Sequence, residues 1–462
     1  MLAGEAALAP YARDESGLGP FVPEAAVLVQ SADEIAEVLT LCQRDRIAVT
    51  PRGLGTGKVG GALAAEGGIV LSTERMNRVR EIDAADMVVV VEPGVITGEL
   101  QRAVEAESLF YPPDPASLDI CSIGGNVACN AGGPRAFKYG VTRDYVRGLE
   151  LVRIGGERLR AGGRTQKGVV GLDLASLVVG SEGTLGVISE ITLKLLPRPR
   201  AARAFLARFD DADGAGRAVV ALVRAGLRPR ALELLDVHVV DHLRASGKWP
   251  LPAERCALLL VEVDGDAHSI DVELEAAAEV CEGASAREVL VATDEARRAK
   301  LWQMRRSVSH TLRDAHHSKV SEDIAVPPGR IPQMLRRLDA IAAEQALLVA
   351  AYGHAGDGNL HVNVLFDAVE QRQREKATLE AIFGATLELG GTLSGEHGVG
   401  LSKRPYLHLE QPPAHIALQR ELKRVFDPDG LLNPGKVWPA APGRGGTASA
   451  LTAQGGKRTM AR

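Results

Sequence analysis

Cysteine is scarce in this chain. The five in 462 residues (Cys42, Cys121, Cys129, Cys256, Cys281) stand far apart and form no CxxC pair. An odd, scattered set argues against a disulfide framework and a thiolate zinc site, and fits a reducing compartment. No stretch reaches about 18 apolar residues, so no bilayer-spanning helix is expected. The start, "MLAGEAALAPYARDESG", lacks a basic segment followed by an apolar run, and no signal peptide is read there. Neither sign of charge dominates: charged residues make up 24% and the net charge is −5, which gives no basis for nucleic-acid binding or a polybasic anchor. No internal repeat is found.

What is present is a 45% hydrophobic chain with 50 glycines. Its length predicts two or three domains. Ser31 to Arg44 reads as a helix, with Ser31 as N-cap, Glu34 completing a capping box, and Ile35, Val38, Leu39 and Cys42 on one face. "IAVTPRG", "GGIVLS", "MVVVVEPG" and "GLELVRIGG" are short β-branched runs ended by Gly or Pro, hence strands. "LKLLPRPRAA" (193–202) marks a boundary, because its prolines end a strand. Beyond it, "ARAFLARFDD", "RPRALELLD" and "CALLLVEVDG" read as strands. "GRAVVALVRAGL", "SIDVELEAAAEVCEGA" and "DEARRAKLWQMRRSVSHTLRDA" read as helices. That order predicts an antiparallel sheet covered by helices, and an α+β chain overall. "AHIALQRELKRVFD" is a late helix, and the small, Gly-rich stretch 439–462 is expected to be disordered.

The glycines cluster in three loops. "PRGLGTGKVGG" (51–61) contains GxGxxG, but only about seven residues separate it from the next strand, too few for the crossover helix of a dinucleotide-binding βαβ unit. Val59 follows Lys58 where a phosphate-binding P-loop needs Ser or Thr. What remains is a nest of backbone N–H groups suited to an anion such as a pyrophosphate, or a tight turn without ligand. "YPPDPASLDICSIGGNVACNAGGPRAFKYGVTRDYV" (111–146) and "LVVGSEGTLGVISEITLKLLP" (177–197) are two further loops able to bring bare backbone against a large ligand.

In these three stretches the chain resembles the flavin domain of the vanillyl-alcohol-oxidase/PCMH-type FAD proteins. Within them it is similar to the D-lactate dehydrogenase, glycolate oxidase and D-2-hydroxyglutarate dehydrogenase group, over about residues 20–437. The resemblance implies a two-subdomain FAD-binding domain at 20–198, an α+β substrate (cap) domain at 199–410, and a segment, 411–438, that returns to the flavin. It implies that Arg52, Gly53, Leu54, Gly55, Thr56, Gly57, Gly60 and Gly61 wrap the FAD pyrophosphate. Pro113, Asp114, Ile123, Gly124, Gly125, Asn126, Ala128, Asn130, Ala131 and Gly132 would line the flavin. Glu182, Gly186 and Ile188 would lie near adenine and ribose, and Asn433 would return to the flavin. Gly57 stands where the family often has Ser, and Cys129 where it often has Thr. The first loop has no histidine for covalent attachment, so non-covalent FAD is expected.

In the second half, "ALLVAAYGH" and "LHVNVLF" flank "AGDGN", a hairpin signal. Such a hairpin puts His354 and His361 on neighbouring strands, with Asn363 on the face of His361. Glu396, in "SGEHGVG", would complete three protein ligands and leave coordination positions open, as a catalytic metal requires. The plainer alternative is a hairpin whose histidines bond to backbone. The resemblance also makes His354, His361 and Glu396 ligands of a divalent metal, zinc or manganese; two His and a carboxylate fit non-haem iron as well. It makes Arg305 the anchor of a substrate carboxylate and His397 the acceptor of a hydroxyl proton. Lys319 and Asn363 are further substrate candidates, and Lys319 could instead pair with Glu322 or Asp323.

The reaction implied is oxidation of a D-2-hydroxy acid, D-lactate or glycolate, to the 2-oxo acid, with D-2-hydroxyglutarate as an alternative. Two other classes stay open here: a metallohydrolase using His354, His361 and Glu396, and a non-catalytic FAD-binding subunit. No cytochrome or iron–sulfur motif lies in the chain, so the electron acceptor (a cytochrome, quinone, flavoprotein or partner subunit) is expected to be external. The expected location is cytoplasmic, free or peripheral at the inner membrane face.

Overall fold

A computed structural model describes residues 1–439, so the stretch expected to be disordered lies almost entirely outside the described residues. In the first half, β1 (Ala25–Leu28), β2 (Val49–Arg52) and β3 (Ile69–Ser72) form a parallel sheet in the order β1-β3-β2. β2 and β3 are direct parallel neighbours, and the 53–68 connection between them contains no helix. The glycine loop therefore does not open a crossover helix. β4 (Val79–Asp83) and β5 (Val88–Val91) come next, then the two-residue β6 (Leu109–Phe110), β7 (Val146–Val152), β8 (Arg158–Gly162) and β9 (Val187–Lys194). Five of these make an antiparallel sheet, β4-β5-β9-β7-β8, while β6 pairs with β10 (Leu196–Pro197).

The helix Ala32–Asp45 begins where Ser31 accepts a hydrogen bond from the Glu34 N–H. The return bond differs from a capping box: the Glu34 carboxylate accepts from the Gln30 N–H, one residue earlier. Ile35, Leu39 and Cys42 are buried, as their spacing requires.

The second half is one seven-stranded antiparallel sheet. Its strands are β11 (Ala201–Phe209), β12 (Ala231–Leu235), β13 (Ala257–Gly265), β14 (Glu288–Val291), β15 (Ser318–Ala325), β16 (Leu348–His354) and β17 (Asn359–Phe366), in the order β14-β11-β13-β12-β16-β17-β15. One face carries the helices Ala212–Arg224, Ile270–Gly283, Ile331–Gln345 and Glu375–Glu388, packed on Phe205, Leu234, Leu259, Val261, Leu360 and Val362. The other face is covered by Val237–Ala245 and Glu295–Ala315 over Leu206, Leu235, Leu258, Leu260 and Tyr352. This double cover explains why β13 is apolar almost throughout instead of alternating. Each wholly buried Leu or Val stabilises the sheet by roughly 1.5–3 kcal/mol. The helix Val237–Ala245 lies between β12 and β13, where the sequence order had suggested directly successive strands.

The C-terminal helix Pro413–Phe426 and the residues after it pack on the first half. Leu432 bridges to Val49 in parallel, and Leu431 and Leu432 join the core around Ile35 and Leu39.

Candidate functional site

The site lies where the second face of the large sheet runs out from under its helices. Antiparallel register puts its residues on one surface: Asp323 of β15 is opposite His361 of β17, which is opposite Tyr352 of β16, while Glu233 of β12 is opposite His354 of β16. The predicted hairpin is β16–β17, with His354 paired to Asn359, and the His354 and His361 rings are 5.2 Å apart edge to face. Glu396 arrives from a loop, its Oε1 3.6 Å from Nε2 of both His354 and His361. His397 stacks on His361 with ring centroids 5.5 Å apart, and its Nε2 is 3.9 Å from the same Glu396 oxygen.

Two donor sets share His361 and Glu396. Asp323, His361, Glu396 and His397 bring one ligand atom each within 4.8 Å of one another; His354, His361 and Glu396 are the other set. Hydrogen bonding distinguishes them. Asp323 Oδ2 accepts from the N–H groups of Glu396 and His397, both at 2.9 Å, and Oδ1 accepts from Asn359 Nδ2 at 2.6 Å. That carboxylate is occupied in shaping the loop. His354 has Nδ1 held 2.6 Å from Glu233 Oε1 and Nε2 directed at Glu396, which is how a metal-ligating imidazole is oriented. The second set fits a divalent cation better.

The charge environment agrees with a place for a cation. Burial opposes protonation of His354, but Glu233 and Glu396 outweigh it and raise its pKa well above the ordinary value. Burial lowers His361 to about 3, with His354 adding to the effect against Glu396 and Asp323. Burial would raise Glu396, yet the hydrogen bond and charge of His354 hold it down at about 2. Asp323 is also pulled well below the carboxylate range against its burial, by His397, Lys403 and His361.

Arg305, on the helix Glu295–Ala315, is buried, and its guanidinium lies 4.6 Å over the Tyr352 ring. Its Nε is 2.5 Å from Glu233 Oε2, an ion pair whose angle falls outside hydrogen-bond geometry, so neither atom has a hydrogen-bond partner. We read the contact as an ion pair because both groups are buried and oppositely charged. Lys319 donates to the Ser309 carbonyl and hydroxyl, at 3.2 and 2.9 Å. The cation near Glu322 and Asp323 is Lys403 instead, 3.8 Å from each carboxylate. Asn363 is wholly buried, and its amide is fully engaged: Nδ2 donates to the Ala350 and His361 carbonyls while Oδ1 accepts from Ser321. These bonds fix the strand beneath His361.

The glycine loops converge on the same crevice. A Cβ on Gly53 would lie 2.4 Å from Ser122 Oγ, one on Gly61 3.7 Å from Glu182 Oε2, and one on Gly132 2.9 Å from Glu396 Oε2. Asn433 Nδ2 donates to the Gly61 and Glu182 carbonyls and ties the C-terminal segment to both loops. Asn130, Glu182 and Asn433 all adopt left-handed backbone, costly for non-glycine residues and seen where surroundings over-determine the chain. The Arg52 guanidinium is used internally, donating to the Pro10, Arg13 and Ala62 carbonyls. Asp114 pairs with Arg135 at 3.0 Å; burial nonetheless lifts it to about 6.

Glu182 is buried where the two halves meet. Its two oxygens accept from the N–H groups of Val399 and Gly400 at 2.8 Å, so it holds the loop carrying Glu396 and His397. Gly186 and Ile188 likewise have packing reasons: a Cβ on Gly186 would meet Leu151 at 2.6 Å, and Ile188 belongs to the core of the five-stranded sheet. Glu233, Asp323, Asn359 and Lys403 were not anticipated as members of the site. The signal for Glu233 was a lone charge inside the apolar strand Ala231–Leu235.

The FAD linked oxidases, C-terminal domain, match residues 198–437, and the FAD binding domain matches residues 23–162. The chain is 40% identical over 430 residues to the glycolate oxidase subunit GlcD of Bacillus subtilis (strain 168), covering 93% of this chain and 92% of that protein. It is 36% identical to the D-lactate dehydrogenase of Anaerostipes hadrus, over 95% and 94%, and 33% identical to the D-2-hydroxyglutarate dehydrogenase of Stutzerimonas stutzeri (strain A1501), over 90% and 91%. Among solved structures, p-cresol methylhydroxylase with substrate bound shares the fold at 17% identity, with a TM-score of 0.79 over 94% of this chain and 93% of that one. Among the described residues no helix is long and apolar enough to cross a membrane. The chain belongs to the FAD-linked oxidases, and it is an FAD-linked oxidoreductase.

Proposed function

We propose that the protein oxidises a small D-2-hydroxy acid, glycolate or D-lactate, to the 2-oxo acid. The observation that carries this is the meeting, on one sheet surface facing the glycine loops, of Arg305, His397 and the set His354, His361 and Glu396. When bound, FAD supplies the hydride acceptor and a divalent cation, zinc or manganese, supplies a Lewis acid for the hydroxyl. Arg305, whose Nε edge faces Glu233, binds the substrate carboxylate through its terminal nitrogens. His397, stacked on His361 with its Nε2 3.9 Å from Glu396, takes the hydroxyl proton. The substrate thus loses one hydride and one proton, which balances the oxidation.

Charge supports the same reading. Glu233, Asp323 and Glu396 are offset by Arg305, Lys403 and a protonated His354. Replacing that one proton with a dication leaves a single positive charge for one substrate carboxylate. A dicarboxylate such as D-2-hydroxyglutarate needs a further cation, and the candidate is Lys319, whose pKa burial and then Arg313 depress. The acceptor of the electrons is an external carrier, and the location is cytoplasmic, free or peripheral at the membrane.

The test is anaerobic addition of glycolate, D-lactate, L-lactate and D-2-hydroxyglutarate to the purified yellow protein. Bleaching of the flavin by glycolate or D-lactate, but not L-lactate, is expected. A flavin that no 2-hydroxy acid reduces would end the proposal.

A further inference from the structure

We infer that Glu233 is a positioning residue that couples the substrate anchor to the metal-binding set, one carboxylate oxygen holding Arg305 and the other His354. The inference rests on the function proposed above and names a residue that reading does not use.

Glu233 is the only ionisable residue in β12, a five-residue strand buried throughout, and it is itself wholly buried. A carboxylate removed from water is costly unless it is paired. Both its partners belong to the reaction. Oε1 lies 2.6 Å from His354 Nδ1, and Oε2 lies 2.5 Å from Arg305 Nε. No other side chain among the described residues bonds to it. The register explains the reach to His354, which is its direct cross-strand neighbour.

The two contacts do different work. An acceptor at His354 Nδ1 keeps a proton on that nitrogen and turns the Nε2 edge toward Glu396, 3.6 Å away, as the edge a cation would take. At Arg305 the carboxylate takes the Nε edge, while the Tyr352 ring beneath sets the plane of the guanidinium. Only the terminal nitrogens are then left for a substrate. One side chain therefore fixes the distance between carboxylate anchor and metal, which for a 2-hydroxy acid is the spacing between C1 and the C2 hydroxyl.

A buried ion pair kept only for the fold makes a different prediction, because such pairs are often replaceable without loss of stability. The experiment uses full-length flavin-loaded Glu233→Gln. The readouts are Zn2+ affinity by titration after chelator treatment, KM and kcat for the best 2-hydroxy acid, and flavin content. Expected are a loss of Zn2+ affinity of about 10–100-fold and a rise in KM of about tenfold, with flavin content unchanged. In a double-mutant cycle with Arg305→Met, the KM effects should be less than additive, since both remove the same anchor. Unchanged Zn2+ affinity and KM in folded Glu233→Gln would overturn the inference, as would a change in one alone. Should the single variant fail to fold, Glu233→Gln/Arg305→Met removes both charges together. Its Zn2+ affinity, compared with Arg305→Met alone, must still fall. If the wild-type flavin is reduced by no 2-hydroxy acid, the functional reading fails; the Zn2+ titration then still decides the link from Glu233 to His354.

Discussion

The two walls of the crevice are built on opposite principles. The wall from the first half works by what it omits: at Gly53 and Gly132 a missing side chain leaves backbone free to approach its neighbours. The wall from the second half works by what it buries: Glu233, Asp323, Arg305, His354 and His361 are side chains costly to desolvate, retained on one sheet surface and mutually paired. The first wall suits a large ligand held by many weak backbone contacts, the second a small ligand held by few strong ones. The loop 394–400 belongs to both. Asp323 grips the N–H groups of Glu396 and His397 from the sheet, and Glu182 grips those of Val399 and Gly400 from the first half. Relative placement of the two chemistries thus depends on two buried carboxylates, one per wall.

The sharpest way to separate the walls is His397→Ala. If the flavin wall binds independently, this variant keeps its yellow colour and normal flavin content while kcat falls by about 10²–10⁴-fold, the range for loss of a general base. Stopped-flow flavin reduction measures the step directly. Near-normal reduction would remove His397 from proton transfer. Loss of colour would show that the walls are not separable.

A smaller effect is expected where the walls touch. In Gly132→Ala the added methyl would sit 2.9 Å from Glu396 Oε2 and 3.4 Å from its Cβ. The obstructing atom is the far end of a flexible side chain, so the fold should hold and the carboxylate should move. Zn2+ affinity is expected to fall by about tenfold with flavin retained. Flavin loss with Zn2+ affinity intact would mean that Gly132 serves only its own wall.

The same contrast explains what could be read from sequence. The glycine wall is written in contiguous runs, 51–61, 111–132 and 177–186, so neighbouring residues carry its signal. The His354–His361 pair was legible because a hairpin joins them. Glu233 and His354 are 121 positions apart, and only the order β12-β16-β17-β15 brings Glu233 and Asp323 beneath the histidines. Strand register of that kind depends on long-range pairing, which local periodicity does not encode. The hydrogen-bond partners of Glu182 and Asn363 are not legible in the sequence for a related reason. A side chain's partner is set by what packs opposite it: for Glu182 a loop from the other half, for Asn363 the carbonyl of Ala350 on the next strand.

The weakest expected effect tests how far the charged wall extends, through Lys319. Burial and the neighbouring cations Arg313 and Lys58 lower its pKa from 10.5 to about 8, and Lys58 belongs to the first glycine loop, so both walls contribute. Below pH 8 the ammonium is charged and available to a second substrate carboxylate; above it that charge is lost. KM for D-2-hydroxyglutarate should therefore rise with pH above about 8, by at most about tenfold per unit. KM for D-lactate, which has one carboxylate held by Arg305, should stay flat over the same range. Lys319→Arg should abolish the break, because a guanidinium stays charged. The sign for stability is the reverse of the sign for binding. Between about 8 and 10.5 the unfolded chain binds the proton that folded Lys319 has released, so this residue makes stability increase with pH across the window in which dicarboxylate binding declines. Parallel KM profiles for the two substrates would place Lys319 outside the substrate site and end the charged wall at Arg305.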